Sequence, residues 1–309
     1  MSVPAVPGSV LHTVIPNLFQ EKLIDKHYET SIIAQICNTD ADNTGIKAMG
    51  DKVTFMRLAD TTVRANVKGQ DMVMEFLSHT EVNLYVNQSN YFYFGDDRIN
   101  LKQYLQKDIM DRQVDDANKQ VEKYIAKSFF STVYASADAT NVGATAGAES
   151  ADYNLGITGT PIPVSKASIC DQIADLSGVC SQQYMPAGDL FVVLPDTFRV
   201  MALQSELKDK GMTGKDSTLS NTLLGNVFGM DIYSTTFYTP IHEVSLGVYA
   251  YPIIFGHKSA ICYVNQLTSM DYFEKMERTN AQAMRGVSVY DWAVIDPLML
   301  GVWYAYKSQ

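Results

Sequence analysis

The clearest periodic pattern in the chain spans residues 100–136, a stretch without glycine or proline. Apolar residues recur at steps of three to five on one side, while Lys, Asp, Gln and Arg fill the other. Asn100 suits an N-cap, and Gln103 stands where a capping-box partner reaches back. The pattern predicts a helix about 55 Å long, at about 1.5 Å per residue, with its apolar side buried on a sheet. Because the repeat is not a strict heptad, a coiled coil is disfavoured.

The period changes to two between residues 51 and 94, which is typical of β-strands. Two alternating stretches flank residues 60–79, which we interpret as a polar, turn-rich tip. The pattern predicts a long β-hairpin that projects just before the helix. Since a two-stranded hairpin is marginally stable by itself, we expect contact with another chain to stabilise it.

The first sixteen residues are interrupted by Pro4, Pro7 and Pro16, which indicates an extended arm. Its apolar residues would be unfavourable in water, so we expect the arm to lie on a neighbouring subunit. Asn17 is a candidate cap for a short helix over residues 18–28. No basic residue precedes Lys22, so the start does not resemble a signal peptide, and no apolar run approaches the length of a membrane span.

The second half of the chain alternates helical and strand-like patterns. Small, polar and glycine-rich residues at 137–164 predict a surface loop or disordered insert that separates two lobes. A helix capped by Ser165 or Ser168 follows and is ended by residues 186–188. A buried strand at 189–195 comes next, and then a helix through Lys210 that ends at Gly211. We further predict strands at 229–237, at 247–255 paired with 259–264, at 271–278, and at 286–295 with 298–306, which close the body.

Composition and charge narrow the function classes. The chain has 309 residues with 46% hydrophobic and 19% charged positions, as expected for a globular protein of two lobes. Its net charge is −10, its pI is near 4.9, and Lys and Arg are not clustered. Tight binding of nucleic acid through phosphates is therefore disfavoured.

Catalytic patterns are missing from the sequence. The four cysteines and five histidines have no metal-ligand spacing, so we expect reduced, buried thiols. The nucleophile-elbow, dinucleotide-binding and P-loop motifs do not occur. Asp96 and Asp97 precede the long helix, where they favour its dipole, and Asp115 and Asp116 form a solvated face. We expect no enzyme, cofactor or metal site.

The order of these elements resembles the major capsid proteins of tailed bacteriophages, which have the Hong Kong 97-type fold. The stretches DLFVVLPDTFRVMALQSEL, LLGNVFGMDIYSTTF and MRGVSVYDWAVIDPLMLGVWY carry the likeness, which covers almost the whole chain. It implies an α+β fold with five parts. These are an N-terminal arm and short helix at 1–50, an extended β-hairpin (E-loop) at 51–95, a peripheral domain with spine helix and flexible loop at 96–164, a mixed α/β axial domain at 165–278, and closing strands of the peripheral domain at 279–309.

The resemblance also implies a function. The chain would self-assemble as pentamers and hexamers into an icosahedral shell enclosing double-stranded DNA, which it would hold without sequence-specific contact. It would assemble in the host cytoplasm, reside in the virion, and use no membrane or cofactor. A separate scaffolding protein, a portal and decoration proteins are the implied partners.

Particular residues follow from this likeness. The subunit-interface candidates are Val3, Val6, Val10, Thr61, Thr62, Lys68, Gln70 and Met72. Some relatives join subunits through an isopeptide bond, for which Lys68 and Asn280 are candidates, a solvated lysine being the alternative. An encapsulin-like compartment with the same fold and an α/β enzyme with a carboxylate site are the rival functions.

Overall fold

The computed structural model of the chain describes residues 31–39, 50–59, 61–66, 68–69, 71–97, 109–205, 223–274, 276 and 281–308. Within these ranges the α-helices are α1 (Ile33–Ile36), α2 (Ile109–Thr132), α3 (Ile169–Gln182) and α4 (Asp196–Gln204). The strands are β1 (Lys52–Arg57), β2 (Thr80–Tyr85), β3 (Gln88–Asp97), β4 (Ile162–Val164), β5 (Leu190–Pro195), β6 (Leu223–Val227), β7 (Met230–Thr235), β8 (Ile241–Glu243), β9 (Val248–His257), β10 (Ile261–Phe273), β11 (Ala281–Val294) and β12 (Leu300–Lys307).

A seven-stranded sheet forms the centre of the body, in the order β4-β12-β9-β5-β7-β6 with β8 beside β9. Every residue of β5 is buried, and alternate residues of this strand enter two separate hydrophobic clusters. Val192 packs among residues of α3 and α4, whereas Val193 packs among residues of α1 and α2. The sheet is therefore covered by helices on both faces, as its continuous apolar strand at 190–195 predicts.

The long helix is confirmed over the part that the structure describes. It runs as α2 from Ile109 to Thr132 and continues as a 3-10 turn, Val133–Ser136. Its buried side chains include Ile125, Phe129 and Phe130, which pack against β9, β10 and β12. The predicted start at Asn100 lies outside the described residues. So do the arm and the short helix at 18–28.

A second sheet of three strands has the order β10-β11-β3. This arrangement corrects two sequence predictions. Residues 88–94 do not belong to the projecting hairpin, because β3 pairs with β11 along its whole length. Residues 247–255 do not pair with 259–264, because β9 joins the seven-stranded sheet while β10 joins the three-stranded one. A 3-10 turn, Lys258–Ala260, separates the two strands in place of a hairpin turn.

The closing strands also separate. β11 lies in the three-stranded sheet and β12 in the seven-stranded sheet, so the end of the chain connects the two. The glycine-rich segment at 137–164, predicted to be a surface loop, is anchored on this connection. The buried side chain of Asn141 donates to the backbone oxygens of Leu298, at 2.6 Å, and Leu300, at 3.2 Å. The α4 helix starts at Asp196 as predicted, but it ends at Gln204, six residues before the predicted Lys210.

Candidate functional site

The projecting hairpin is the most exposed feature of the described chain. β1 and β2 form its inner part, with Lys52 opposite Tyr85 and Arg57 opposite Thr80. Beyond them, the side chain of Glu75 accepts from Thr62, which continues the same register without a β-ladder. The chain turns at Lys68 and Gly69, the latter with a φ of +87°. We call residues 58–79 the outer hairpin. With the inner strands it reaches at most about 55 Å, at about 3.3 Å per residue.

The outer hairpin exposes apolar side chains along one arm. Met72, Met74 and Phe76 are 83%, 74% and 86% exposed and occupy alternate positions, so they share one side of an extended arm. We call these three residues the apolar strip. Val63, Val73 and Leu77 are exposed nearby. A contiguous apolar surface of this kind marks an interaction site rather than ordinary surface.

The root of the hairpin is fixed to the body by packing and by one ion pair. Leu84 and Val86 are buried with Cys262, Val264 and Val289 of the three-stranded sheet, and Val53 and Phe55 pack against this cluster. Arg57 Nη2 lies 3.1 Å from Asp296 Oδ1. Since the root is fixed, the direction in which the outer hairpin projects is determined by the body.

A groove lies between β3 and α2, and we call it the β3–α2 groove. Its volume is about 640 Å³. β3 is the edge strand of its sheet, and among the described residues no strand pairs with its second edge. The lining residues are Ser89, Asn90, Tyr91, Phe92, Tyr93, Phe94, Gly95, Asp96, Gln113, Asp116, Ala117, Gln120, Val121 and Tyr124.

The two ends of the groove differ in chemistry. At one end Gln113 Nε2 donates to Asp96 Oδ2 at 3.1 Å, and Asp116 follows one helical turn later. The Oε1 atom of Gln113 is buried and has no hydrogen-bond partner among the described residues. At the other end Tyr91 and Tyr124 are 75% and 61% exposed. The described lining contains no lysine or arginine, so the groove has an acidic end and an aromatic end.

The titratable groups of the described chain do not form a catalytic arrangement. None of the four cysteines forms a disulfide and all four are buried, and burial raises the pKa of the Cys37 thiol and raises that of Cys180 to about 12. Such thiols are poor nucleophiles because they stay protonated at neutral pH. Groups of metal-binding side chains do not occur among the described residues. None of the described helices has the length and apolarity needed to cross a membrane.

The histidines have local structural roles where they are described. His79 Nδ1 accepts from the backbone N–H of Ala59 at 3.3 Å, and His257 Nδ1 lies 2.7 Å from Ser259 Oγ. Near the hairpin root, the backbone N–H and hydroxyl of Thr140 hold the pKa of Asp138 below its usual value, with a smaller contribution from Arg57. These contacts organise turns rather than a reaction centre.

Four of the eight interface candidates from the sequence are among the described residues, and all four lie on the outer hairpin. Thr61, Lys68 and Met72 are exposed there, and Thr62 is exposed while bonded to Glu75. The other candidates, Val3, Val6, Val10 and Gln70, lie outside the described residues. The role of all eight stays a prediction.

Sequence reasoning missed the apolar strip and the β3–α2 groove. The alternation of Met72, Met74 and Phe76 indicates an exposed apolar surface, but the sequence analysis interpreted this segment as a polar tip. The groove had no comparable signal, because its walls come from a strand edge and a helix whose relative placement depends on tertiary packing.

Comparison with known proteins establishes the fold. Neither a protein-family model nor a curated protein matches the chain. A chain from Mycobacterium phage Che8 matches with a TM-score of 0.68 at 19% identity, over 94% of this chain and 97% of that one. A chain from the capsid of Ralstonia phage GP4 matches with a TM-score of 0.68 at 10% identity, over 99% of both. A chain from the capsid of a native GTA particle matches with a TM-score of 0.59 at 8% identity, over 98% and 99%.

These matches extend over nearly the whole chain at low identity, so they define its fold. The protein has the α+β fold of chains in phage capsids. This confirms the predicted α+β fold class. It also confirms that the fold resembles that of tailed-phage capsid proteins.

Proposed function

We propose that this chain is the major capsid protein of a tailed bacteriophage, which assembles as pentamers and hexamers into an icosahedral shell around double-stranded DNA. The observation that carries the proposal is the outer hairpin, which is fixed at its root and exposes an apolar strip. The fold shared with phage capsid chains supports the same function.

Burial of the apolar strip against a partner chain would be energetically favourable. Fully burying a Met or Phe side chain stabilises by about 1.5–3 kcal/mol, and this gain is lost while Met72, Met74 and Phe76 face water. Contact with a neighbouring copy recovers it. In a closed symmetric assembly every copy both gives and receives such a contact, so modest pair interactions add up to a stable shell.

The charge of the chain suits a container for DNA rather than a tight binder. With a net charge of −10 and no cluster of Lys and Arg, the chain would enclose DNA without sequence-specific contact. In this proposal it is not an enzyme and uses no cofactor. It would assemble in the host cytoplasm with a separate scaffolding protein, and meet the portal and decoration proteins in the virion.

The predicted domain boundaries and interface residues belong to the proposal. Residues 51–95 would contain the intersubunit hairpin, 165–278 the axial domain at five- and six-fold axes, and 279–309 the closing strands of the peripheral domain at 96–164. The interface residues would be Val3, Val6, Val10, Thr61, Thr62, Lys68, Gln70 and Met72. The covalent pairing of Lys68 with Asn280 remains a hypothesis.

Electron microscopy of the purified protein, together with its mass in solution, tests the proposal. We expect closed shells or rings of five and six subunits. A variant with Met72→Ser, Met74→Ser and Phe76→Ser should keep the circular-dichroism spectrum of the wild type but lose assembly, since all three side chains are exposed in the single chain. A monomer or dimer of wild type that does not respond to concentration would contradict the function. Shells that contain protein cargo and no DNA would favour an encapsulin-like compartment.

A further inference from the structure

We propose that Met72 and Met74 form a reversible oxidation site, at which conversion of both sulfur atoms to sulfoxides keeps a subunit out of the shell. The inference rests on the proposed function and adds a regulatory modification to it. The two thioethers lie on the apolar strip, where they are 83% and 74% exposed in the single chain. A peroxide therefore has access to both sulfur atoms before assembly.

The sulfur atoms of the described chain are either accessible thioethers or protected groups. All four cysteines are buried, and buried thiols are inert towards oxidants. Met185, Met201 and Met230 are 8% exposed or less. Met72 and Met74 are the two most exposed methionines among the residues whose exposure the structure describes. Because oxidation follows exposure, a peroxide should modify these two first.

The modification is a two-electron oxidation that hydrogen peroxide supplies. The thioether sulfur attacks one peroxide oxygen, an S–O bond forms and the O–O bond breaks. The second oxygen leaves as hydroxide, takes the proton from the first and departs as water. Methionine sulfoxide reductases reverse the change, releasing the oxygen as water while two thiols are oxidised to a disulfide. The site therefore requires only that this chain present accessible sulfur atoms.

The register of the hairpin places both methionines of the strip on one face. Phe55 lies opposite Val82, and the hydrogen bonds that join Thr62 to Glu75 keep the same offset along the outer hairpin. With this offset, the strip continues the face of Phe55, which packs against the body at the root. Two sulfoxides would therefore interrupt a face that is apolar along its whole length.

Met56 lies on the opposite face of the same hairpin, because successive side chains of a strand point to opposite sides. It is 68% exposed, so a peroxide should oxidise it at a rate close to that of the strip. Its sulfoxide would not touch the apolar face. The chain thus contains its own control for the place of the modification as distinct from its chemistry.

Oxidation should weaken assembly strongly, because a sulfoxide oxygen is a polar acceptor whose burial without a donor is unfavourable. Each copy carries two such groups, and every copy of a closed shell must bury them. The protein concentration needed for assembly should therefore rise by about tenfold or more. Inside a finished shell the strip is covered, so the modification acts only before assembly.

Peroxide treatment of dispersed subunits, followed by mass spectrometry of peptides and an assembly assay, tests the site. The peptides with Met72 and Met74 should gain oxygen before those with Met185, Met201 and Met230, and the concentration needed for shells should rise. Incubation with the two methionine sulfoxide reductases, one for each sulfoxide epimer, and dithiothreitol should remove the oxygens and restore assembly. In finished shells, the same peroxide dose should leave the strip reduced.

Two variants locate the effect. Met72→Leu/Met74→Leu removes both sulfur atoms and nearly conserves side-chain volume, so it should assemble within about threefold of the wild-type concentration. It should keep this behaviour after peroxide treatment. Met56→Leu is the matched control and should lose assembly after peroxide as the wild type does.

The outcomes separate this inference from the proposed function. Treated wild type that assembles normally with Met72 and Met74 oxidised would overturn the inference and leave the function standing. A double leucine variant that peroxide still inactivates, a protected Met56→Leu variant, or equal oxidation of the strip in subunits and shells would do the same. Untreated wild type that forms no shells would contradict the proposed function itself.

The reductase experiment decides the case in which the double leucine variant fails to assemble even without peroxide. Recovery of wild-type assembly in step with the loss of oxygen from Met72 and Met74 supports the site. Recovery while both residues stay oxidised would overturn it.

Discussion

Thr62 holds the two arms of the outer hairpin together through the carboxylate of Glu75. Its backbone N–H donates to Oε2 at 3.2 Å, and its hydroxyl donates to Oε1 at 3.3 Å. The two residues are thirteen positions apart and lie in the register set by β1 and β2. The hydrogen bonds between Thr62 and Glu75, which we call the polar tie, and the apolar strip therefore belong to one structural unit. The tie keeps Met74 and Phe76 in an extended arm.

Replacing Glu75 with Ala should loosen the outer hairpin without unfolding the body. Amide hydrogen exchange near Thr62 should become faster, because the acceptor of its N–H is lost. The melting temperature should change by less than about 2 °C, since every described residue of 58–79 except Ala59 is exposed to solvent. Thr61→Ala, at the neighbouring exposed position, is the control and should leave the exchange pattern unchanged. Equal exchange in the Glu75→Ala variant would show that the tie does not order the arms.

The sequence predicts individual helices and strands well, but it predicts poorly which strands pair with each other. The buried strand at 190–195, the helix at 169–182 and the long helix all follow from periodicity over a few residues. Pairing depends on the rest of the molecule. β9 and β10 look like a hairpin in sequence, yet the 3-10 turn Lys258–Ala260 separates them and they belong to different sheets. The β3–α2 groove could not be predicted for the same reason, because it depends on how a strand and a helix pack together.

Core packing on the long helix should dominate the stability of the body. Phe129 is fully buried and packs edge-on against Phe130 and Trp292, with ring centroids 5.2 and 5.5 Å apart. Phe129→Ala should lower the free energy of unfolding by about 3–5 kcal/mol, because it leaves a cavity. Tyr124→Ala is a matched control on the same helix. Its ring is 61% exposed, so the change should stay within about 0.5 kcal/mol.

Denaturant unfolding of dispersed subunits measures both variants. Comparable losses of stability in the two variants would mean that the ring of Tyr124 packs in the core of the subunit.

A side chain introduced at Gly256 would collide with backbone atoms rather than with other side chains. The φ of this glycine is +149°, and a Cβ there would collide with the backbone oxygen of Met299, the residue just before the paired strand β12. Gly256→Ala should therefore destabilise the body by about 3 kcal/mol or more. Gly247→Ala is the control, because it introduces backbone strain without a collision. Gly247 also has a positive φ, +64°, but nothing lies within 4 Å of its Cβ position.

Gly247→Ala should cost roughly 1–2 kcal/mol from backbone strain alone. Thermal unfolding of the two variants gives the comparison. A Gly256→Ala variant as stable as Gly247→Ala would show that β9 and β12 can move apart without loss.

Asp175 on α3 should make the subunit less stable at neutral pH than an uncharged residue would. Burial, and then the repulsion of Asp171 one turn earlier, raise the pKa of the Asp175 carboxyl above its usual value. Because the pKa in the folded state is the higher one, folding opposes ionisation. The penalty is fully present above both pKa values and disappears as the pH falls below the pKa of the unfolded chain.

Asp175→Asn should therefore stabilise the protein at pH 7 by about 0.2–0.5 kcal/mol, the size of a like-charge pair on a helix. Near pH 3 the difference from the wild type should vanish, since Asp175 is then protonated in both states. Denaturant melts at the two pH values measure this. Asp152→Asn, at an exposed position in the segment before β4, removes the same charge without a helical neighbour and should give no pH-dependent gain. An equal gain in both variants would assign the effect to the net charge of −10 rather than to Asp171.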